Sequence, residues 1–156
     1  MIRKVLPLNW RGRAIILSVI SAFCYVANSA AFELEPVSYE QAVKIYRDNG
    51  GVENYRCTLL PADEQYYVAG NTQPVAVEID ELLFIKLQGK IYQLPQRQIS
   101  GVRTDYALEE LSATLIIAKQ FNQSEYGESD DRHVELTVEN ATQKRVYSTF
   151  GTACGL

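Results

Sequence analysis

Few residues of this 156-residue chain combine a reactive type with a setting that would let it work. The one histidine, His133, follows Asp130, Asp131 and Arg132 and is opposite in parity to Val134, which points its ring toward solvent at the start of a strand. No nucleophile with a motif around it accompanies that ring, so no general base is assigned and no catalytic residue is expected. The run Glu125 to Asp131, E-Y-G-E-S-D-D, carries four carboxylates but lacks the loop spacing of a calcium-binding hand, and it reads as a solvated loop. Asn122 and Asn140 open glycosylation triplets, a pattern that is common by chance, and neither a phosphate loop nor a dinucleotide fingerprint occurs. The expectation is a chain that is not an enzyme and has neither metal nor cofactor.

Two other positions could act on a partner rather than on a substrate. Lys119 shares the parity of Ala113, Leu115, Ile117 and Phe121, a phase that would aim its ammonium at the interior. A buried unpaired lysine is too costly to keep, so Lys119 is expected at the sheet's rim or at a bulge. Ile99-Ser100-Gly101-Val102-Arg103 reads as a polar loop in which Gly101 allows a backbone turn that presents Ser100.

The cysteines depend on the compartment, and the N-terminus suggests which one. Met1 to Arg13 holds Arg3, Lys4, Arg11 and Arg13 and no acid, and Ala14 to Ala27 is an apolar run too short to span a bilayer comfortably. Small residues follow to Ala31, so residues 1–31 read as a signal peptide cleaved near Ala31, with Cys24 an apolar member of the discarded segment. Periplasmic export without stable membrane insertion is the expectation. Cys57 and Cys154 then remain, and an even count in an exported domain reads as a disulfide. The remaining chain carries 11 Lys and Arg against 19 Asp and Glu, a net charge of −8. That excess argues against nucleic acid or an anionic membrane surface and suits a basic protein partner.

The elements that must position these residues follow from periodicity. Residues 32–54 read as a helical extension: Ser38 as N-cap, Gln41 at the capping-box position, Tyr39, Ala42, Val43 and Tyr46 at helical spacing, and Gly50 as a stop. The helix is expected to pack on the sheet through Tyr39, Val43 and Tyr46. From Tyr55 the period is two. Strands are expected at Tyr55 to Leu60, Tyr66 to Ala69, Val75 to Ile79, Leu83 to Leu87, Ile91 to Leu94, Ala113 to Phe121, Val134 to Val138 and Arg145 to Phe150. Gln88-Gly89-Lys90 reads as a hairpin turn with Gly supplying positive φ. Seven or eight short strands on short turns must close or pair to hide their edges, which predicts a mostly β, antiparallel barrel or sandwich over residues 55–156.

In order, the chain reads Y-R-C at Tyr55 to Cys57, L-Q-G-K-I-Y-Q-L-P at Leu87 to Pro95, S-G-V-R at Ser100 to Arg103, an apolar strand reaching Lys119, and a closing Cys154. This order resembles the exported inhibitors of C-type lysozyme, the membrane-bound and periplasmic inhibitor family of Gram-negative bacteria. The resemblance implies an eight-stranded antiparallel barrel whose first strand is tied to its C-terminal end by a disulfide. It also implies that Ser100 and Lys119, with Gly101 and Arg103 beside the serine, enter the lysozyme cleft and meet its catalytic carboxylates. Thr104 stands where the family has tyrosine, with Tyr106 two positions later, and Ile117 and Gln120 replace the tryptophan and glycine that flank its lysine. The expected function is therefore protein binding, with a C-type lysozyme as the partner. The alternative is a non-catalytic structural or assembly protein of the cell envelope that uses an open sheet edge or the helix face.

Overall fold

A computed structural model describes residues 32–64 and 72–155. The expected signal peptide, with its Cys24, and the strand expected at Tyr66 to Ala69 lie outside the described residues. In chain order the elements are β1 (Leu34–Glu35), α1 (Tyr39–Asp48), β2 (Arg56–Pro61), β3 (Ala76–Ile79), β4 (Leu82–Leu87), β5 (Lys90–Ser100), β6 (Arg103–Leu108), β7 (Leu111–Phe121), β8 (Ser129–Glu139) and β9 (Lys144–Gly155).

Every pairing is antiparallel, and the order β4-β3-β2-β9-β8-β7-β6-β5 returns to β4 through a further β4–β5 ladder. The result is a closed barrel of eight strands, which removes the open edges that an isolated sheet would expose. Short β1 lies beside β4, with Leu34 opposite Leu87, where β3 no longer accompanies it. The interior is filled by alternate residues of the strands, among them Leu59, Leu83, Ile85, Leu94, Leu115, Leu136 and Val138. The inward sets Leu83, Ile85, Leu87 and Val134, Leu136, Val138 are those expected from the period of two.

Helix α1 forms where its capping signals stand. The Ser38 Oγ accepts from the Gln41 backbone N–H at 3.2 Å, and the Gln41 Oε1 accepts from the Ser38 N–H at 3.1 Å, which closes the capping box. Its Ala42 and Val43 are buried against Val77, Ile79 and Phe84 on the outside of the barrel, with Tyr39 and Tyr46 partly buried around them. The helix therefore docks through the residues its periodicity singled out. This docking also decides which face of β3 looks outward. Val77 and Ile79 point outward under the helix, while Ala76 and Glu78 point into the barrel. A strand covered on both sides does not reveal its inner face by hydrophobicity alone.

One correction concerns residues 99–103. The polar loop expected there is a tight hairpin in which Ser100 pairs with Arg103 and only Gly101 and Val102 lie between β5 and β6. Gly101 has φ +59°, the positive value that the first loop residue of such a turn needs and that glycine adopts without strain. At the Gln88-Gly89 turn φ is +51° and +76°, so the expected hairpin is present. Strand β6 was hidden because its inward residues, Thr104, Tyr106 and Leu108, do not make a uniformly aliphatic stripe.

Candidate functional site

Strand directions sort the loops into two groups at opposite ends of the barrel. One end carries the Asp80-Glu81 turn, the Gly101-Val102 turn, the loop between Phe121 and Ser129, and the entry to β2 at Tyr55. Ser100, Gly101, Arg103 and Lys119 all belong to this end. The Ile117 N–H donates to the Val102 carbonyl at 2.9 Å, tying the Ser100 hairpin to the strand that carries Lys119. Ser100 is exposed, its neighbours Ile99 and Val102 present large apolar side chains to solvent at 61% and 56% exposure, and Tyr126, in the loop after β7 at the same barrel end, is 81% exposed. An apolar group framed by polar residues in this way suits a protein contact.

Arg103 is held on its own strand pair. Its guanidinium donates to both oxygens of Asp105 at 2.8 to 3.0 Å, and the Thr114 hydroxyl donates to the same carboxylate at 2.6 Å. These bonds pull the Asp105 carboxyl below the ordinary carboxylate value. The charge of Arg103 is thus largely answered within the chain.

Lys119 owes its position to a bulge. The β7–β8 register shifts between Ile117 and Lys119, so that Ala118 is the extra residue. Ala113, Leu115 and Ile117 pack on the interior, but beyond the bulge the alternation inverts, and Lys119 stands exposed on the outer face. The bulge anticipated from the cost of burying a lysine is present, and the inward phase is corrected by it. Lys119 lies opposite His133, and its Nζ is 5.6 Å from the centre of the Phe121 ring. His133 is exposed, as its parity predicted. Its ring sits 5.3 Å from that of Phe121 and 5.5 Å from that of Phe150.

Behind this rim the barrel holds a polar network that the sequence reading missed. Glu78, 8% exposed, accepts hydrogen bonds from the hydroxyls of Tyr106 and Tyr55, the latter at 3.1 Å. Arg132 donates to Tyr55 at 3.3 Å and commits its Nε and Nη2 to Asp130 at 2.7 and 2.6 Å. Gln120, next to Lys119, donates to Asp130 at 2.6 Å. Burial pushes the Glu78 carboxyl up from the ordinary value, against the pull of the tyrosine hydroxyls and Arg132, and burial likewise pushes up the hydroxyls of Tyr55 and Tyr106. The only hint in the sequence is the parity of Glu78, which puts it in phase with Ala76.

The disulfide Cys57–Cys154 joins β2 to β9 against this network. A Cβ at Gly151 would meet both sulfurs at 2.8 Å and the Arg132 Cγ at 3.0 Å, so only glycine fits there. The acidic run divides: Asp130 turns inward to Arg132 and Gln120, while Asp131 accepts from the Ala153 N–H at 2.9 Å and from Asn122 at 2.8 Å. Among the described residues no group of three His, Cys, Asp or Glu side chains is placed to hold a metal ion.

Fold and rim together define a closed, eight-stranded antiparallel barrel, disulfide-linked, with a helix docked outside and, at one end, exposed apolar side chains and Lys119 among the acidic residues of the 80–81 turn and the 122–128 loop. Compared with family models, curated proteins and solved structures, the chain matches none.

Proposed function

We propose that this chain is an exported periplasmic domain that binds a protein partner without catalysing a reaction, and that the partner is a C-type lysozyme. In this reading the Ser100-Gly101 turn and Lys119 enter the lysozyme cleft and meet its carboxylates. The observation that carries the reading is the placement at one barrel end of Ser100, which flanks a two-residue turn, and Lys119, turned outward by a bulge. Exposed Ile99 and Val102 beside Ser100, and exposed Tyr126 in the loop after β7, supply apolar contact area at the same barrel end. Among the described residues Lys119 takes part in no ion pair, so its charge is available to a partner. An acidic domain approaching a basic lysozyme is steered electrostatically, and a local lysine supplies the charge that the cleft favours. The envelope-assembly alternative has less support, because the barrel closes on itself and the apolar side of α1 is packed on β3 and β4.

The test is lysozyme activity in the presence of the purified chain from Phe32 onward. Inhibition at micromolar concentration is expected. Lys119→Ala should weaken it by about 2 to 5 kcal/mol, the cost of leaving a desolvated carboxylate unpaired. Ser100→Ala should cost about 1 kcal/mol, and Glu135→Ala on the outer surface should change little. Unaltered lysozyme activity would sink the proposal.

A further inference from the structure

Strand β5 outruns β4. The β4–β5 ladder ends where Leu82 faces Pro95, whereas the β5–β6 ladder continues to Ser100 and Arg103. Barrel closure therefore leaves one short stretch of β5 with β6 alone as its neighbour. The two-residue turn fixes which backbone groups that stretch shows. Ser100 and Arg103 close the turn by exchanging both hydrogen bonds, and alternation then makes Ile99 and Thr104 the pair that exchanges none. The Ile99 N–H and C=O point away from β6, and among the described residues no backbone group pairs with them there. Arg97 to Ser100 are all exposed. Such an edge is ordinarily guarded by a charged side chain or a covering segment. Here the guanidinium of Arg97 donates from Nε to the Ala107 carbonyl on β6 at 3.1 Å, which turns it away from the edge.

An acidic hollow lies at the foot of this edge, lined by Tyr46, Asn54, Asp80, Glu81, Pro95 and Gln96. The Gln96 N–H donates to the Glu81 carbonyl at 2.7 Å, which sets the Asp80-Glu81 turn directly below the free stretch. A strand laid along the edge ends against that turn, with its last side chain over the hollow. Asp80 accepts from the N–H groups of Asn54 and Tyr55 at 3.1 and 3.0 Å and from the Tyr46 hydroxyl at 2.5 Å, neutral donors that leave its charge uncancelled. Among the described residues Glu81 is in no ion pair. The cations of the neighbouring elements turn elsewhere: Arg97 to Ala107, and Arg47 and Arg56 to Glu53 at 3.7 and 3.6 Å.

We infer that the β5 edge from Gln98 to Ser100 takes an extended segment of the protein partner as an added strand, with a Lys or Arg of that segment seated over Asp80 and Glu81. The inference deepens, and rests on, the reading that this barrel end meets a basic protein. In strand addition the main-chain hydrogen bonds supply the hold and pockets beside the edge select the side chains. A second copy of the chain could also donate a strand. Two copies, each with 11 Lys and Arg against 19 Asp and Glu from Phe32 onward, repel one another, whereas a basic segment is drawn to Asp80 and Glu81.

The experiment titrates a C-type lysozyme into the exported, disulfide-linked protein and its variants by calorimetry, and follows exchange of the Ile99 amide with water. Ile99→Pro deletes the edge N–H, which the β5–β6 ladder does not use, and affinity should fall about tenfold. Ile99→Ala keeps the N–H and should cost clearly less. Glu81→Lys should weaken binding several-fold, by a margin that shrinks in high salt. In the wild-type complex exchange at the Ile99 amide should slow about tenfold, because a paired amide is protected. That readout needs no variant and decides the matter should the proline protein fail to fold. Lysozyme bound equally by wild type and Ile99→Pro, with exchange at Ile99 unmoved, would overturn the inference and leave the inhibitor reading intact. A dimer of the chain that Ile99→Pro abolishes would give the edge to a second copy and overturn it as well. Absence of wild-type binding would overturn the inhibitor reading and this inference together.

Discussion

Lys119 and Glu78 each place a charge on a mostly apolar strand, and the chain deals with the two in opposite ways. Lys119 is ejected to solvent by one extra residue, whereas Glu78 is kept inside and given two tyrosine hydroxyls. The interior network holds two acids, Glu78 and Asp130, but one cation, Arg132, and Arg132 pairs directly with Asp130. Glu78 is left as the acid with the weaker claim on positive charge, so burial raises its carboxyl above the ordinary value. The folded state therefore holds a proton on Glu78 more tightly than the unfolded chain does. Stability contributed by that proton is complete below the ordinary carboxylate range, and it falls as pH rises from there through the raised folded value, with a slope of at most about 1.4 kcal/mol per pH unit. Glu78→Gln should remove this slope. Urea unfolding midpoints between pH 4.5 and 8 check it, and parallel curves for the two proteins would contradict the assignment. The exposure of His133 and the need for Lys119 to escape the core were legible from parity and cost. The Glu78 network was not, because its members are scattered from Tyr55 to Arg132 and meet only through barrel closure.

At the scale of elements, local signals were read well where a motif is complete within a few residues. The Gln88-Gly89 turn and the Ser38–Gln41 capping box are of this kind. The Gly101 hairpin was read as a loop because β6, with Arg103, Thr104 and Asp105 in its first half, lacks the apolar alternation that marks a strand. The alternation in β3 does not say which set faces inward, because α1 buries the outer one. That docking gives the capping box a measurable role. Ser38→Ala removes the acceptor for the Gln41 N–H and should lower unfolding free energy by about 0.5 to 2 kcal/mol, whereas Ser38→Asp, which keeps an acceptor, should retain most of it. Urea unfolding measures both. No loss in the alanine variant would mean that packing on Val77, Ile79 and Phe84 alone holds the helix.

At the scale of the whole molecule, eight strands tied into a cylinder leave two ends that can differ in chemistry, and one disulfide joins the first barrel strand to the last. The bridge spans 97 positions, and a loop of that length restricts the unfolded chain by up to about 4 to 5 kcal/mol. The Cys57→Ser, Cys154→Ser double variant should lose stability on that scale in denaturant unfolding. Protein recovered from the periplasm should begin near Phe32 and be two hydrogens lighter than its reduced form. Free thiols or a retained Met1 to Ala31 would contradict the export reading. The central claim is that the barrel end carrying Ser100 and Lys119 receives a C-type lysozyme. Amide chemical-shift mapping during titration with unlabelled lysozyme tests it most directly. The account predicts perturbations centred on residues 99–103, 117–121 and 131–133, with the turns at residues 88–89, 109–110 and 140–143 unmoved. Perturbations centred on that opposite end or on α1, or none at saturating lysozyme, would contradict it.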